Sequence, residues 1–171
     1  MSTGKITRFG LLTAVALVLG YLERFIPVAP GIPGIKLGLA NTVLLYAVYL
    51  MSSKSALMLM LCKVLLSGFL FSGLAGLVYS IAGGAVSLAA MLLLHKTPGI
   101  GILGVSIGGA VAHNIGQVAV ACIAVQTAAV LSYLPVLMIS AVITGALTGI
   151  AAKYAIAALE RAGFNREQDG G

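Results

Sequence analysis

The sequence predicts an integral membrane protein: a bundle of about six apolar α-helices with both chain ends in the cytoplasm. Of its 171 residues, 60% are apolar and only 8% are charged, and the mean hydropathy is +1.12. Soluble domains are closer to half apolar and a quarter charged. Because this chain has too few charges to cover itself with a polar surface, we expect lipid to contact most of its exterior.

The apolar residues occur in continuous runs, which are typical of spanning helices. A bilayer core needs about 20 helical residues to cross it, whereas barrel strands alternate apolar and polar residues. The first run follows Lys5 and Arg8 and is too long for a signal peptide. We expect one transmembrane domain over residues 1–160 and a polar tail over 161–171. The predicted spans are residues 6–25, 36–51, 55–71, 74–94, 100–125 and 132–159.

Turn-forming residues separate these spans. A stretch with three prolines, residues 27–34, follows span 1 and cannot continue a helix. Ser72-Gly73 is only a weak break between spans 3 and 4, whereas residues 95–99 form a clear polar loop between spans 4 and 5. Ser132 is the predicted N-cap of span 6, with Pro135 in the first turn.

The distribution of Lys and Arg predicts the orientation. Cytoplasmic loops attract these residues. With the N-terminus inside, only Arg24 and Lys36 fall on the outer side, and Lys63 lies within a span. The remaining basic residues all fall inside: Lys5, Arg8, Lys54, Lys96, Lys153, Arg161 and Arg166.

Glycine is abundant, with 22 residues, and often lies four residues from another small residue within a span. This spacing places small residues on one helix face, where two backbones can approach closely. The pattern favours packing inside the bundle. A second interpretation is that one such stripe docks another protein, and the candidate in span 1 consists of Gly10, Ala14, Ala16 and Gly20.

Lys63 is the most unusual polar residue, because ionisable groups within a span are costly and normally face the bundle interior or a cavity. It lies nine residues after Lys54, or about 13 Å along a helix, which places it near the middle of the bilayer. It could snorkel to the interface or be paired only structurally. Alternatively, it provides the counter-charge for an anionic ligand or for Glu23.

The other polar residues gather at the predicted outer side. His113, Asn114 and Gln117 share one patch of span 5 and could form either a hydrogen-bond network between helices or a ligand site. Glu23 and Arg24 end span 1 and could be only an interfacial ion pair, and span 2 begins with Lys36 and Asn41. We predict an outward-facing pocket that suits an anionic or polar head group on an apolar body. The expected ligand-binding residues are Glu23, Arg24, Lys36, Asn41, Lys63, His113, Asn114 and Gln117.

The sequence shows no catalytic constellation. Its only aspartate, Asp169, lies in the tail, whereas diphosphate chemistry holds magnesium with carboxylates. There is no GxxxxGK[ST] loop for ATP, and Cys62 and Cys122 form no CxxC pair. The basic residues are scattered without aromatic neighbours. We therefore expect no enzymatic activity, no metal site and no nucleic-acid partner.

Two stretches resemble a known family. Residues 33–41, PGIKLGLAN, and residues 109–117, GAVAHNIGQ, are similar to two signatures of the Gx transporter family, also labelled heptaprenyl diphosphate synthase component I. Residues 79–84 and 133–135 fit as well, and the resemblance covers nearly the whole chain. Where the family often has Arg in the third span, this chain has Lys63, which keeps the charge but lacks the bidentate fork of arginine.

The resemblance implies a role in the cytoplasmic membrane of a prokaryote. Members resemble the substrate-binding S components of energy-coupling-factor transporters, which bind vitamin-like molecules from outside and work with a partner that hydrolyses ATP. This implies uptake of a small amphiphilic ligand such as a flavin, quinone or isoprenoid precursor.

Two alternatives also follow from the resemblance. One is a membrane subunit of a flavin-based extracellular electron transfer system, with a NusG-domain-II-like redox partner and a flavin or quinone as cofactor. The other is an accessory subunit of a prenyl diphosphate synthase, although the paired Asp-rich motifs of such synthases are absent from this chain.

Overall fold

The computed structural model describes residues 3–26 and 38–161, with side chains from residue 6 onward. Within these ranges the chain is helical apart from short connections and contains no strand. The α-helices are α1 (Thr3–Leu22), α2 (Leu39–Leu50), α3 (Ser53–Ser67), α4 (Gly73–Lys96), α5 (Ile102–Val125) and α6 (Leu134–Arg161). Shorter helical turns are formed by Glu23–Phe25 and Ala128–Tyr133, which are 3₁₀, and by Gly68–Ser72, which is a π-helix.

Four segments of the described chain are long and apolar enough to cross a membrane: Ile6–Phe25, Ser53–Lys96, Ile102–Val125 and Ala128–Arg161. The protein is therefore a multi-pass membrane protein built from α-helices. The predicted count of six spans and the cytoplasmic placement of both ends stay predictions. The predicted start of span 2 and the polar tail beyond Arg161 lie outside the described residues.

The 44-residue segment Ser53–Lys96 folds back on itself. A Cβ added at Gly84 would lie 3.0 Å from the sulfur of Met60, and one added at Gly68 would overlap the side chain of Leu77. Contacting residues thus come closer in sequence toward Gly73, as in an antiparallel hairpin. Gly73 has a φ of +68°, a conformation that glycine adopts without the Cβ clash of other residues. The weak break predicted at Ser72-Gly73 is therefore a reversal of the chain.

Helices α4, α5 and α6 pack side by side in antiparallel order through small residues. A Cβ on Gly116 of α5 would lie 2.8 Å from the carbonyl oxygen of Ala82 in α4. A Cβ on Gly145 of α6 would lie 2.9 Å from the Cα of Ile107 in α5. These glycines therefore set the distance between neighbouring backbones. The prediction that many of the glycines pack inside the bundle is confirmed at these positions.

Helix α2 forms the centre of the core and packs against α1, α3, α4 and α6. It has 12 residues and is buried almost all round, with Leu45 and Ala47 fully inaccessible. At 1.5 Å per residue it extends about 18 Å, less than the thickness of a bilayer core. Its first turn faces the other helices, because Ala40 is buried and Asn41 is half-buried.

Two predicted boundaries are wrong. Helix α4 continues through His95 and Lys96, for which the sequence predicts a loop, because basic residues favour the negative end of a helix dipole. Ser132 is not an N-cap: it lies inside a 3₁₀ turn and its hydroxyl donates to the carbonyl of Ala129 at 2.6 Å. Thr127 caps that turn instead, accepting a hydrogen bond from the amide of Ala129 at 3.3 Å.

Candidate ligand-binding site

A cavity of about 1070 Å³ lies between the helices. This is slightly more than about 1,000 Å³, the usual upper limit for pockets that hold small molecules. Its wall is formed by α1, α3, α4, α5, α6 and the beginning of α2. Lys36 lies outside the described residues. All other predicted ligand-binding residues line this one cavity: Glu23, Arg24, Asn41, Lys63, His113, Asn114 and Gln117.

Lys63 and Asn41 form the first polar corner of the cavity. The ammonium group of Lys63 in α3 donates a hydrogen bond to Oδ1 of Asn41 in the first turn of α2, at 3.0 Å. Both residues are half-buried. The pair holds a positive charge inside the bundle, where an anion would interact with it more strongly than in water.

Glu23 connects the end of α1 to the beginning of α2. Its carboxylate is buried and accepts a hydrogen bond from the backbone amide of Gly38. Gly38 has a φ of +77°, a left-handed conformation that favours glycine. Because the first amides of a helix lack partners within the helix, this carboxylate acts as a cap for α2. Glu23 therefore organises the wall beside Lys63.

Arg24 contacts a different element. Its guanidinium donates to the carbonyl of Phe71 in the π-helical turn at 2.8 Å, and the rings of Tyr21 and Phe71 lie 5.0 Å apart. These contacts join the end of α1 to the reversal between α3 and α4. Glu23 and Arg24 thus contact separate neighbours. Their contacts differ from the alternative in which the two residues form only an ion pair with each other.

His113, Asn114 and Gln117 of α5 form the second polar corner. A Cβ on Gly83 of α4 would lie 2.9 Å from both His113 Cε1 and Gln117 Cγ, so a larger residue would require these side chains to shift. Asn114 donates from Nδ2 to the carbonyl of Leu137 in α6 at 2.9 Å. This bond shows that part of the cluster connects two helices, while all three of its members also line the cavity.

Helix α6 contributes polar residues that the sequence interpretation missed. Ser140, Thr144 and Thr148 all line the cavity, and Thr148 Oγ1 lies 3.2 Å from the hydroxyl oxygen of Ser106 in α5. Hydroxyl residues are common in spanning helices, so a single Ser or Thr does not indicate a site. Their spacing of four, which places them on one helix face, is the signal that could have revealed them.

The proposed docking stripe of α1 divides into two pairs. Gly10 and Ala14 are exposed, and a Cβ at Gly10 would meet nothing within 4 Å. Ala16 is only 1% exposed, and Gly20 approaches Ala40 of α2; both also line the cavity. Docking of a partner stays a prediction. Of the two pairs, only Gly10 and Ala14 lie on the outer surface, where a partner could contact them.

The cavity wall offers single charges and hydrogen-bonding groups. Among the described residues, no three His, Cys, Asp or Glu side chains come together as a metal site would require. Cys62 and Cys122 are both half-buried free thiols. The polar groups that the wall presents to the cavity are a cation, amides and hydroxyls.

Comparison with known proteins identifies the family. The family described as heptaprenyl diphosphate synthase component I matches residues 12–155. The chain belongs to this family. The matched range contains every polar residue of both cavity corners, and it confirms the resemblance carried by the two signatures. No curated protein and no solved structure matches the chain. The description of the component I family is that of one part of a synthase, and it names no ligand of the cavity.

Proposed function

We propose that this component I protein is an S-component-like membrane protein that binds a small amphiphilic ligand for uptake with a partner energising module. The ligand would be a flavin, a quinone or an isoprenoid precursor. The observation that carries the proposal is a large cavity into which the scarce polar groups of several helices converge. Polar groups at depth are costly in a membrane protein, and such convergence is typical of a substrate pathway or binding site.

The proposal includes six spans with both ends in the cytoplasm. Its support is the antiparallel hairpin of α3 and α4, which divides the 44-residue apolar segment in two. In this arrangement Arg24 and the beginning of α2 lie toward the outer side, so that the cavity would receive its ligand from outside. Cysteine-accessibility labelling at Lys54 and Lys96, both expected inside, tests this orientation in intact cells.

The binding role is tested by the Lys63→Leu variant. The protein is purified from its own membranes, and the small molecules that it retains are identified and quantified by native mass spectrometry. We expect the variant to retain at least about tenfold less ligand, because a hydrogen bond to a charged group is worth more than a neutral one. His113→Ala should also reduce retention more than folding.

Lys54→Leu is the matched control, because Lys54 lies at the exposed beginning of the same helix and outside the cavity. It should retain as much ligand as the native protein. If Lys63→Leu lowered thermal stability as strongly as it lowered ligand retention, Lys63 would instead be only structural. Absorption spectra of the oxidised and reduced protein belong to the same experiment, because the absence of any redox-active chromophore would count heavily against the electron-transfer alternative.

The family description favours a second candidate, an accessory subunit of a prenyl diphosphate synthase. In that role the cavity would hold the prenyl product or a lipid precursor, and a separate soluble subunit would perform catalysis. Adding the protein in lipid to such a subunit should then raise the rate of prenyl synthesis. An unchanged rate would remove this candidate.

A further inference from the structure

The wall that α6 presents to the cavity is a row of hydroxyl groups, formed by Ser140, Thr144 and Thr148. Residues four apart in an α-helix lie on the same face, so the three side chains stand one above another. At 1.5 Å per residue the row extends about 12 Å along the cavity. It is therefore as long as a small organic molecule.

The protons of these hydroxyls already have acceptors within the helix. Ser140 donates to the carbonyl of Leu137, Thr144 to that of Ser140, and Thr148 to that of Thr144, each at 2.9 Å. A hydroxyl has one proton and two lone pairs. Because the protons are held by the backbone, the oxygens of Ser140 and Thr144 present lone pairs and act as hydrogen-bond acceptors, whereas Thr148 Oγ1 also pairs with the Ser106 hydroxyl at 3.2 Å.

The hydroxyl row connects the two polar corners of the cavity. At one end, a Cβ at Gly38 would lie 3.8 Å from both Asn41 Nδ2 and Thr148 Cγ2, which places Thr148 beside the pair of Lys63 and Asn41. At the other end, the Leu137 carbonyl accepts from Asn114 as well as from Ser140. The cavity thus has a cation in one corner and acceptor oxygens along one wall.

We infer that the hydroxyl row is a subsite for hydrogen-bond donors on the body of the ligand, a specificity that rests on the proposed binding function. An anionic or electronegative end at Lys63 would align the rest of the molecule with α6, where O–H or N–H groups meet the hydroxyl oxygens. A hydrocarbon tail or the carbonyls of an oxidised quinone would remove these oxygens from water without supplying a donor, which is unfavourable. The preferred ligand is an acidic molecule with several hydroxyl or N–H groups along its body.

The experiment compares two phosphate probes, one with hydrogen-bond donors along its body and one without. Flavin mononucleotide carries hydroxyls and an N–H group, whereas geranyl phosphate carries a hydrocarbon chain. Binding of each to the full-length protein in nanodiscs is measured by isothermal titration, for the native protein and for the double variant Ser140→Ala/Thr144→Val. The helix keeps its own backbone bonds in this variant, so the fold should be retained.

Thr13→Val is the matched control, because Thr13 is also buried and donates within its helix, to the Phe9 carbonyl at 2.9 Å, but does not line the cavity. We expect flavin mononucleotide to bind more tightly than geranyl phosphate, and the double variant to bind it at least about tenfold more weakly. Thr13→Val should bind it as the native protein does.

Two results would overturn the subsite. The first is that geranyl phosphate binds the native protein as tightly as flavin mononucleotide, and the second is that the double variant binds flavin mononucleotide unchanged. In both cases the proposed binding function would stand if Lys63→Leu still weakened binding of the probes. If the native protein bound neither probe, the subsite would be contradicted, and the binding function would be decided by the ligand retention of Lys63→Leu.

Discussion

Replacing Gly116 with alanine should separate α4 from α5. The added Cβ would lie 2.8 Å from the Ala82 carbonyl oxygen and 3.0 Å from the Gly83 Cα, whereas ordinary contact begins at 3.4 Å. Both neighbours are backbone atoms, which have no rotamer by which to move away. The two helices must therefore shift apart by several tenths of an ångström where they pack most closely.

The cost of this shift follows from two opposing effects. Overpacking a close interface typically costs about 1–3 kcal/mol, while alanine is the better helix former by about 1 kcal/mol. Because the clash is with backbone, we expect the upper part of the range and a net destabilisation of about 2 kcal/mol. For a chain of this size that corresponds to an apparent Tm lower by about 4–8 °C.

Thermal unfolding in one detergent, followed by circular dichroism at a fixed heating rate, measures the difference. Gly10→Ala provides the control, because a Cβ at Gly10 meets nothing within 4 Å and the same gain in helix propensity applies. Its Tm should be unchanged or slightly higher. A Gly116→Ala protein as stable as native would refute the close α4–α5 packing on which the position of the second polar corner depends.

Two further variants test the cavity wall. Glu23→Ala removes the carboxylate that caps α2 through Gly38 and should destabilise the protein by about 1 kcal/mol. Glu23→Gln keeps a hydrogen-bond acceptor and should destabilise the protein less than Glu23→Ala. Thermal unfolding of the two variants checks this order. Gly83→Ala would push against the movable side chains of His113 and Gln117, so it should weaken ligand retention several-fold while lowering the Tm less than Gly116→Ala. A Tm loss as large as that of Gly116→Ala, with ligand retention unchanged, would contradict this prediction.

The short central helix accounts for how the cavity is built. Because α2 begins within the bundle, its first turn can place Asn41 beside Lys63 while Glu23 caps its end. The beginning of α2 therefore contributes to the polar corner at Lys63 without an unsatisfied helix end.

The membrane class and the candidate residues could be predicted from the sequence alone. The composition indicates that lipid surrounds the protein, because so apolar a chain with so few charges cannot form a water-soluble surface. Once lipid is the solvent, every polar residue within a span needs a partner or a cavity, which directs attention to Lys63 and to the His113 cluster. These are local properties of a helical segment and need no knowledge of its neighbours.

Only the tertiary structure shows which groups meet. The contacts of Glu23 with Gly38 and of Arg24 with Phe71 join residues far apart in the chain, and no periodicity within one helix specifies them. The hydroxyls of α6 were missed for the same reason. Ser and Thr hydroxyls donate to backbone carbonyls of their own helix, so their burial costs little free energy anywhere in a span. Their importance arises from the cavity they face, and helix packing alone creates that cavity.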